Sequence, residues 1–449
     1  MNNGETVRKS TMKITILGAG LSGIGLAYFL QNYDPVESID LIEKEDSIGG
    51  LCRSIKKDGY TYDIGPHILF SKDKEMLELM LSVLDEKNDL KRSNQIIYKG
   101  RYVQYPFEND LSKLPKDDKN YCVRTFESNP YRGYKPENML QFFLKTFGEG
   151  ITNTYLRPYN EKIWKYDPSF MDTQMVERIP QPTDEEIRRS AAGETVDGYV
   201  HQLYFHFPKT GGIEAVVRGF EKRLSDKCEI HLNTPVNKVE KIGNLGFRVL
   251  AGDESFDSDI LISTMPIQEL GATYTQTPDD IRKHIDDLKY NSIMIAFVHA
   301  EEDLCGDNFA FMNPEKDVIF HRISKMDFLG DAYHREGATY MVEVTYRKGD
   351  YTDSLSDGEI RDRIFKGMQY LGFAKEISDL ELINLTRHQY AYVIYDLKHK
   401  ENMTVIRKYF ANEGIYLNGR FGNFEYWNMD KVLREAKNVA EKIIGGTGK

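Results

Sequence analysis

The sequence predicts an α/β chain: a Rossmann-like nucleotide-binding unit interleaved with a helical domain and an antiparallel sheet domain. Three observations carry this. A short β-branched run, residues 13–17, leads at once into Gly18-Ala19-Gly20-Leu21-Ser22-Gly23 and then into an apolar helical stretch, 24–31. A second strand-like run, 38–42, follows the helix as in a βαβ unit and ends at Glu43. Further along, strand-like runs at 291–299, 308–312, 317–323 and 338–346 are broken by stretches of helical spacing. The length of 449 residues is about three usual domains, and a 40% hydrophobic fraction is enough to fill their cores.

The glycine run has the context that a dinucleotide fingerprint requires. Gly18 permits a tight turn, Gly20 removes a side chain that would block a pyrophosphate, and Gly23 lets helix and strand approach closely. The helix N-terminus then offers unpaired N–H groups to the anion. Glu43 stands 20 residues beyond Gly23, a spacing that suits a carboxylate on a ribose hydroxyl. A glycine-rich structural turn is the bland alternative. Beyond Glu43, Ile48-Gly49-Gly50-Leu51-Cys52-Arg53-Ser54 offers two more glycines and a cation that can track a pyrophosphate.

Composition excludes other classes. A formal charge of −11 argues against a nucleic-acid binder that works through bulk charge. No apolar run approaches the ~20 residues of a membrane span, and residues 1–11 read as a polar, flexible tail without a signal-peptide core. Four cysteines, Cys52, Cys122, Cys228 and Cys305, are too dispersed for a zinc motif and suggest a reducing, cytoplasmic setting. No metal site is expected. Tyrosine, with 28 residues against 2 tryptophans, supplies rings and hydroxyls that suit a stacked or hydroxyl-rich ligand, or an ordinary core.

The remaining elements follow in order. Residues 72–87 read as helix, from Met76, Leu77, Met80, Leu81 and Leu84. Residues 96–105 read as a hairpin turning at Lys99-Gly100. The Tyr- and Pro-rich middle holds helical pieces near 136–148 and 150–157. Strands return over 227–268, and a polar helix is expected at 275–289 and another at 356–371. Residues 380–420 alternate as strand, and a last helix covers 429–443. The division that results is a tail (1–11), a nucleotide-binding part (12–95), a mainly helical substrate insertion (96–206), a second nucleotide-binding part (207–270), a sheet and helical region (271–380) and a C-terminal return (381–449).

Several segments resemble a known superfamily. The 48–54 glycines, Phe207-Pro208-Lys209-Thr210-Gly211-Gly212-Ile213, and the strand and turn at 259–266 resemble the FAD-binding segments of the amine oxidase and protoporphyrinogen oxidase superfamily. Four more resemble the UDP-galactopyranose mutase family, in particular its eukaryotic-like branch. They are Gly65-Pro66-His67-Ile68-Leu69-Phe70-Ser71, Tyr105-Pro106-Phe107-Glu108-Asn109, the run from Tyr155 to Trp164, and Gly419-Arg420-Phe421-Gly422. This resemblance spans nearly the whole chain and implies noncovalent FAD, active when reduced. The cofactor would be held by Gly18, Gly20, Gly23, Glu43, Gly49, Gly50, Arg53, Arg420, Asn428 and Met429. The implied activity interconverts UDP-galactopyranose and UDP-galactofuranose, or a close analogue, through attack of reduced-flavin N5 on the anomeric carbon. An oxidase or desaturase of the superfamily is the alternative.

The same resemblance assigns the site. His67 lies beside the flavin and orients a backbone carbonyl or moves a proton; Arg178 and Arg322 hold the nucleotide-sugar pyrophosphate, which guanidinium forks suit. Tyr155, Asn160 and Trp164 match the uridine-contacting set, although packing is the simpler unaided reading of the two aromatics. Tyr105, Tyr392 and Tyr426 are further substrate candidates; Val393 stands where the family carries a proline after its tyrosine. The implied partners are a nucleotide sugar and a reductant such as NADPH or NADH. No second GxGxxG follows a strand, which argues against a dedicated NADPH domain. The charged stretch 183–206 does not match the family's substrate flaps, and the oligomeric state is left open.

Overall fold

The glycine turn is the pivot of a five-stranded parallel sheet. In the computed structural model, which describes residues 11–179, 182–194, 203–243 and 246–446, the strand Met12–Leu17 lies at its centre. The strand order is 415–417, 260–263, 12–17, 36–42 and 228–231, and every pairing is parallel. Ile14, Ile16 and Leu17 are fully buried, as a sheet covered on both faces demands. The helix Leu21–Leu30 is apolar on all sides, and eight of its ten residues are buried. It packs on the C-terminal helix Met429–Gly446, so the end of the chain closes over its beginning. A buried hydrogen bond from Asn418 Nδ2 to Ser22 Oγ, 2.9 Å, ties the same two regions together.

A second sheet of seven strands has the order 380–394, 289–300, 338–346, 322–325, 310–312, 94–98 and 101–104. It is antiparallel except where Ala310–Met312 runs parallel to Asn94–Tyr98. Its central strand Ala338–Tyr346 is buried along its whole length. Tyr340, Val342 and Val344 join Met294, Ala296 and Val298 in a core beneath the helix Asp357–Tyr370, which adds Ile360, Ile364 and Met368. Met341 instead belongs to the larger core on the opposite face, as do Ile293 and Ile295 of the neighbouring strand. Side chains alternate across a strand, so Glu343 shares the face of Met341, away from the helix.

A helical block lies between these sheets in sequence: Lys116–Glu127, Met139–Ile151, a π-helical turn Thr152–Leu156, Arg157–Trp164 and Asp184–Ala192. The charged helix Lys116–Glu127 was not expected, because it buries only Cys122 and Phe126 and shows no broad apolar face. The hairpin at Lys99-Gly100 forms with positive φ at both residues, +47° and +71°. Two expectations are corrected. The strand expected at 317–323 is Arg322–Lys325, and the alternation expected across 380–420 stops at Ile394. A helix, His399–Glu413, follows because His399, Met403, Ile406 and Phe410 recur at helical spacing and are buried together. The large sheet also takes strands 94–98 and 101–104 from before residue 271, which the division by sequence did not anticipate. The tail expected at 1–11 lies, apart from Thr11, outside the described residues. Among those residues, no helix is long and apolar enough to cross a membrane.

A Cβ on Gly23 would lie 2.0 Å from the Gly18 carbonyl oxygen, a backbone atom that cannot swing away. Gly23→Ala is expected to destabilise the fold by about 1–3 kcal/mol, as overpacking of a close-packed interior does. Thermal denaturation measures it, and an unchanged melting temperature would contradict the close approach.

Candidate functional site

A cavity of about 1110 Å³ joins the two sheets. One end is the glycine turn. Gly20 and Gly49 meet as an isolated β-bridge, with Gly49 N–H donating to the Ala19 carbonyl at 2.9 Å. A Cβ on Gly50 would lie 3.3 Å from Gly20 Cα, so the two bare backbones leave room only for each other and a ligand. The helix Leu21–Leu30 starts here without a side-chain cap, which leaves its first N–H groups for an anion. Glu43 is fixed by backbone: its Oε2 accepts from Ala19 N–H at 2.9 Å and its Oε1 from Glu45 N–H at 3.1 Å. A carboxylate so held keeps lone pairs for ribose hydroxyls. Gly18 and Arg53 line the same end, and Arg53 pairs with Glu45 at 3.4 Å. Gly23 does not line the cavity; it acts through packing.

The middle of the cavity carries His67, Arg420, Asn428 and Met429. The Nε and Nη2 of Arg420 and the Nδ1 of His67 are buried with no hydrogen-bond partner among the described residues. Arg420 instead lies over the Tyr426 ring, 4.1 Å from its centroid, and 5.9 Å from that of Tyr392. Buried orphan donors beside a glycine cradle fit FAD: Gly18, Gly20, Gly49, Gly50 and Glu43 would hold its dinucleotide part, and Arg420, Asn428 and Met429 its ring end. Burial, then the Arg420 charge, lowers the His67 pKa to about 4. The imidazole is therefore neutral near pH 7, which suits an orienting role better than proton transfer.

The far end is cationic. Arg322 and Glu343 are direct cross-strand partners and form a bidentate pair: Nη2 donates to Oε2 at 2.7 Å and Nε donates to Oε1. Glu343 is fully buried, whereas the Arg322 side chain keeps 27% exposure toward the cavity. Burial alone would lower the Arg322 pKa, but the Glu343 charge outweighs it and holds the pKa well above its ordinary value. Tyr392 donates its hydroxyl to Glu343 Oε2 at 3.2 Å. Tyr105, Tyr159 and Tyr426 complete this wall. Arg92 also lines it, with Nε and Nη2 buried and unpartnered among the described residues, and burial pushes its pKa down.

Sequence reasoning missed Arg92, Tyr159 and Glu343. Glu343 had a signal, a single acid among apolar and hydroxyl side chains in an otherwise buried strand. Tyr159 lay within the quoted Tyr155–Trp164 run, but Arg92 lay in a charged stretch with nothing to mark it.

The expected uridine set does not line the cavity. Tyr155 is buried in a stack between Phe107, 4.8 Å away, and Tyr159, 5.2 Å away. Asn160 spends both its polar groups inside its own helix: Nδ2 donates to the Leu156 carbonyl at 2.7 Å, and Oδ1 accepts from Trp164 Nε1 at 2.8 Å. Trp164 sits edge-on behind Tyr392 and Tyr426, with both ring centroids at 5.7 Å. These residues form the backing of the wall, and Tyr159, Tyr392 and Tyr426 its surface. Arg178 closes the 3₁₀ turn Thr173–Arg178, and its side chain lies outside the described residues.

Comparison with known proteins fits this architecture. The family model described as flavin containing amine oxidoreductase matches residues 21–444. The chain belongs to that family. It is thus an FAD-binding enzyme of that family. A coproporphyrinogen III oxidase from Staphylococcus aureus (strain NCTC 8325 / PS 47) is 21% identical over 97% of this chain and 99% of its own length. A UDP-galactopyranose mutase from Mycoplasma genitalium is 26% identical over 38% of this chain and 45% of its own. The crystal structure of reduced UDP-galactopyranose mutase superposes with a TM-score of 0.88 at 24% identity, covering 98% of this chain and 97% of that one, a likeness of fold.

Glu108 lies buried close to Tyr105, and burial raises its pKa from 4.5 to about 7. Between those values the folded protein keeps a proton that the unfolded chain has lost, so wild-type stability falls as pH rises through that window. Glu108→Gln is neutral throughout. Its melting temperature is expected to match wild type near pH 5 and exceed it at pH 8, by differential scanning calorimetry. A gap of equal size at both pH values would contradict the buried acid.

Proposed function

We propose that this protein is a flavin-dependent nucleotide-sugar mutase that interconverts UDP-galactopyranose and UDP-galactofuranose, or a close analogue. The observation that supports it is the cavity's far end, where Arg322, Arg92 and tyrosine rings stand opposite the dinucleotide turn. Two guanidiniums in one pocket suit a pyrophosphate, and disfavour a cationic amine or a hydrocarbon. Bound FAD, when reduced, supplies the electron-rich ring that reacts with the sugar. The chain's own residues do the rest. Arg322 and Arg92 hold the anion, and with it the charge that develops on the leaving oxygen. Tyr105, Tyr159 and Tyr392 wall the sugar and nucleotide and narrow the space for water. Neutral His67 orients the segment Gly65-Pro66-His67 beside the ring position, and Arg178, at the end of the turn Thr173–Arg178, is a further pyrophosphate contact in this reading.

The alternative is an FAD-dependent oxidase of a carboxylated substrate, because the same cations suit carboxylates and the coproporphyrinogen oxidase similarity runs the full length of both chains. Dithionite-reduced protein incubated with a panel of UDP-sugars separates the two. Isomerised product from reduced but not oxidised protein is expected. Oxygen consumption with a porphyrinogen, and no isomerisation across the panel, would replace the mutase reading with the oxidase. Within the mutase reading, Arg322→Lys keeps the charge but loses the planar fork that pairs with Glu343 and leaves further N–H groups for the anion. Turnover should fall by about 10²–10³, the usual cost of an anion-stabilising donor, with FAD content unchanged.

A further inference from the structure

Arg322 enters the anion site already neutralised. Glu343, fully buried on the adjacent strand, occupies its Nε and Nη2, while the Tyr392 hydroxyl donates to the same carboxylate. Arg92 has no such partner among the described residues. The nearby Lys162 is turned elsewhere, its Nζ donating to the carbonyls of Asn313 at 3.1 Å and Glu315 at 2.7 Å. At this wall Arg322, Arg92 and Glu343 together therefore offer a diphosphate two guanidiniums but the net charge of one. We propose that Glu343 is a positioning residue with a second effect: as the fixed counter-ion of Arg322 it weakens the hold on a nucleotide diphosphate, so that the anion is oriented by two cations yet free to dissociate.

The physical basis is that a carboxylate a few ångströms from a bound phosphate repels it, and a water-poor wall screens that repulsion little. A residue that only shaped the pocket would lower affinity when changed. A counter-ion has the opposite sign. Glutamine at 343 keeps the volume and one acceptor for Arg322 while removing the charge.

This inference rests on the nucleotide-sugar reading. Its test is isothermal titration of the FAD-loaded protein with UDP and, separately, with inorganic pyrophosphate. Glu343→Gln should bind both about tenfold tighter than wild type, with a lower KM for UDP-sugar and a lower kcat, because release slows. Unchanged or weaker binding by Glu343→Gln would overturn the counter-ion role and leave the nucleotide-sugar reading standing. Failure of wild type itself to bind either probe would remove that reading and this inference with it. Should Glu343→Gln not fold, the double variant Arg322→Gln with Glu343→Gln removes both charges and leaves no buried ion unpaired. Its pyrophosphate affinity should exceed that of Arg322→Gln alone by about tenfold, because both lack the guanidinium and only the single variant keeps the repelling carboxylate, and equal or weaker affinity would overturn the inference.

Discussion

Only a hydrogen atom fits between the Gly18 carbonyl and the α-carbon of residue 23. That contact sets how deeply the first helix sinks onto the parallel sheet. The depth in turn brings the helix N-terminus to the mouth of the cavity and sets the bare backbone of Gly20 against Gly49 and Gly50. Glu43 reaches the same point because its strand runs parallel to the first and ends level with the turn. The floor of the nucleotide end of the cavity is thus bare backbone, and its shape follows from where side chains are missing.

The opposite end obeys a different rule, the two-residue period of a strand. Along Ala338–Tyr346, even-numbered positions from Tyr340 to Val344 feed the core under the helix Asp357–Tyr370, and Glu343 is left facing the cavity. Arg322 stands directly opposite it in the next strand. A one-residue slip of register would bury that pair's charges in the apolar core, so the same alternation that packs the sheet also fixes the charge in the pocket. The packing that makes Tyr392 and Tyr426 a firm wall comes from behind, from Trp164.

The nucleotide unit was legible in the sequence because its signals are local: Gly18, Gly20 and Gly23 act within one turn, and Glu43 acts one strand later. The seven-stranded sheet was legible in its long strands and less so in Arg322–Lys325, a segment of four residues too short to show a period of its own. The helix His399–Glu413 escaped because its apolar residues share a tract with the alternation of the preceding strand. At the cavity, resemblance pointed to the run from Tyr155 to Trp164, but no motif says which way its side chains turn. Asn160 and Trp164 bond to each other, and the surface passes to Tyr159. Arg92 carried no signal because a lone arginine among lysines and aspartates becomes unusual only once burial strips it of partners.

The closure of the chain on itself has a temporal side. The edge strand Ile415–Leu417 completes the nucleotide sheet, the Asn418–Ser22 bond spans nearly the whole sequence, and Asn428 and Met429 line the cavity. A ribosome that has made the first 400 residues has made both sheets' longest strands and the entire glycine turn, yet it has not made a cofactor site. The nascent polypeptide must shelter an apolar helix, Leu21–Leu30, until its partner Met429–Gly446 emerges. Truncation within the last few dozen codons would strip both the edge strand from the parallel sheet and the cover from Leu21–Leu30, damage of the same order as loss of the first strand.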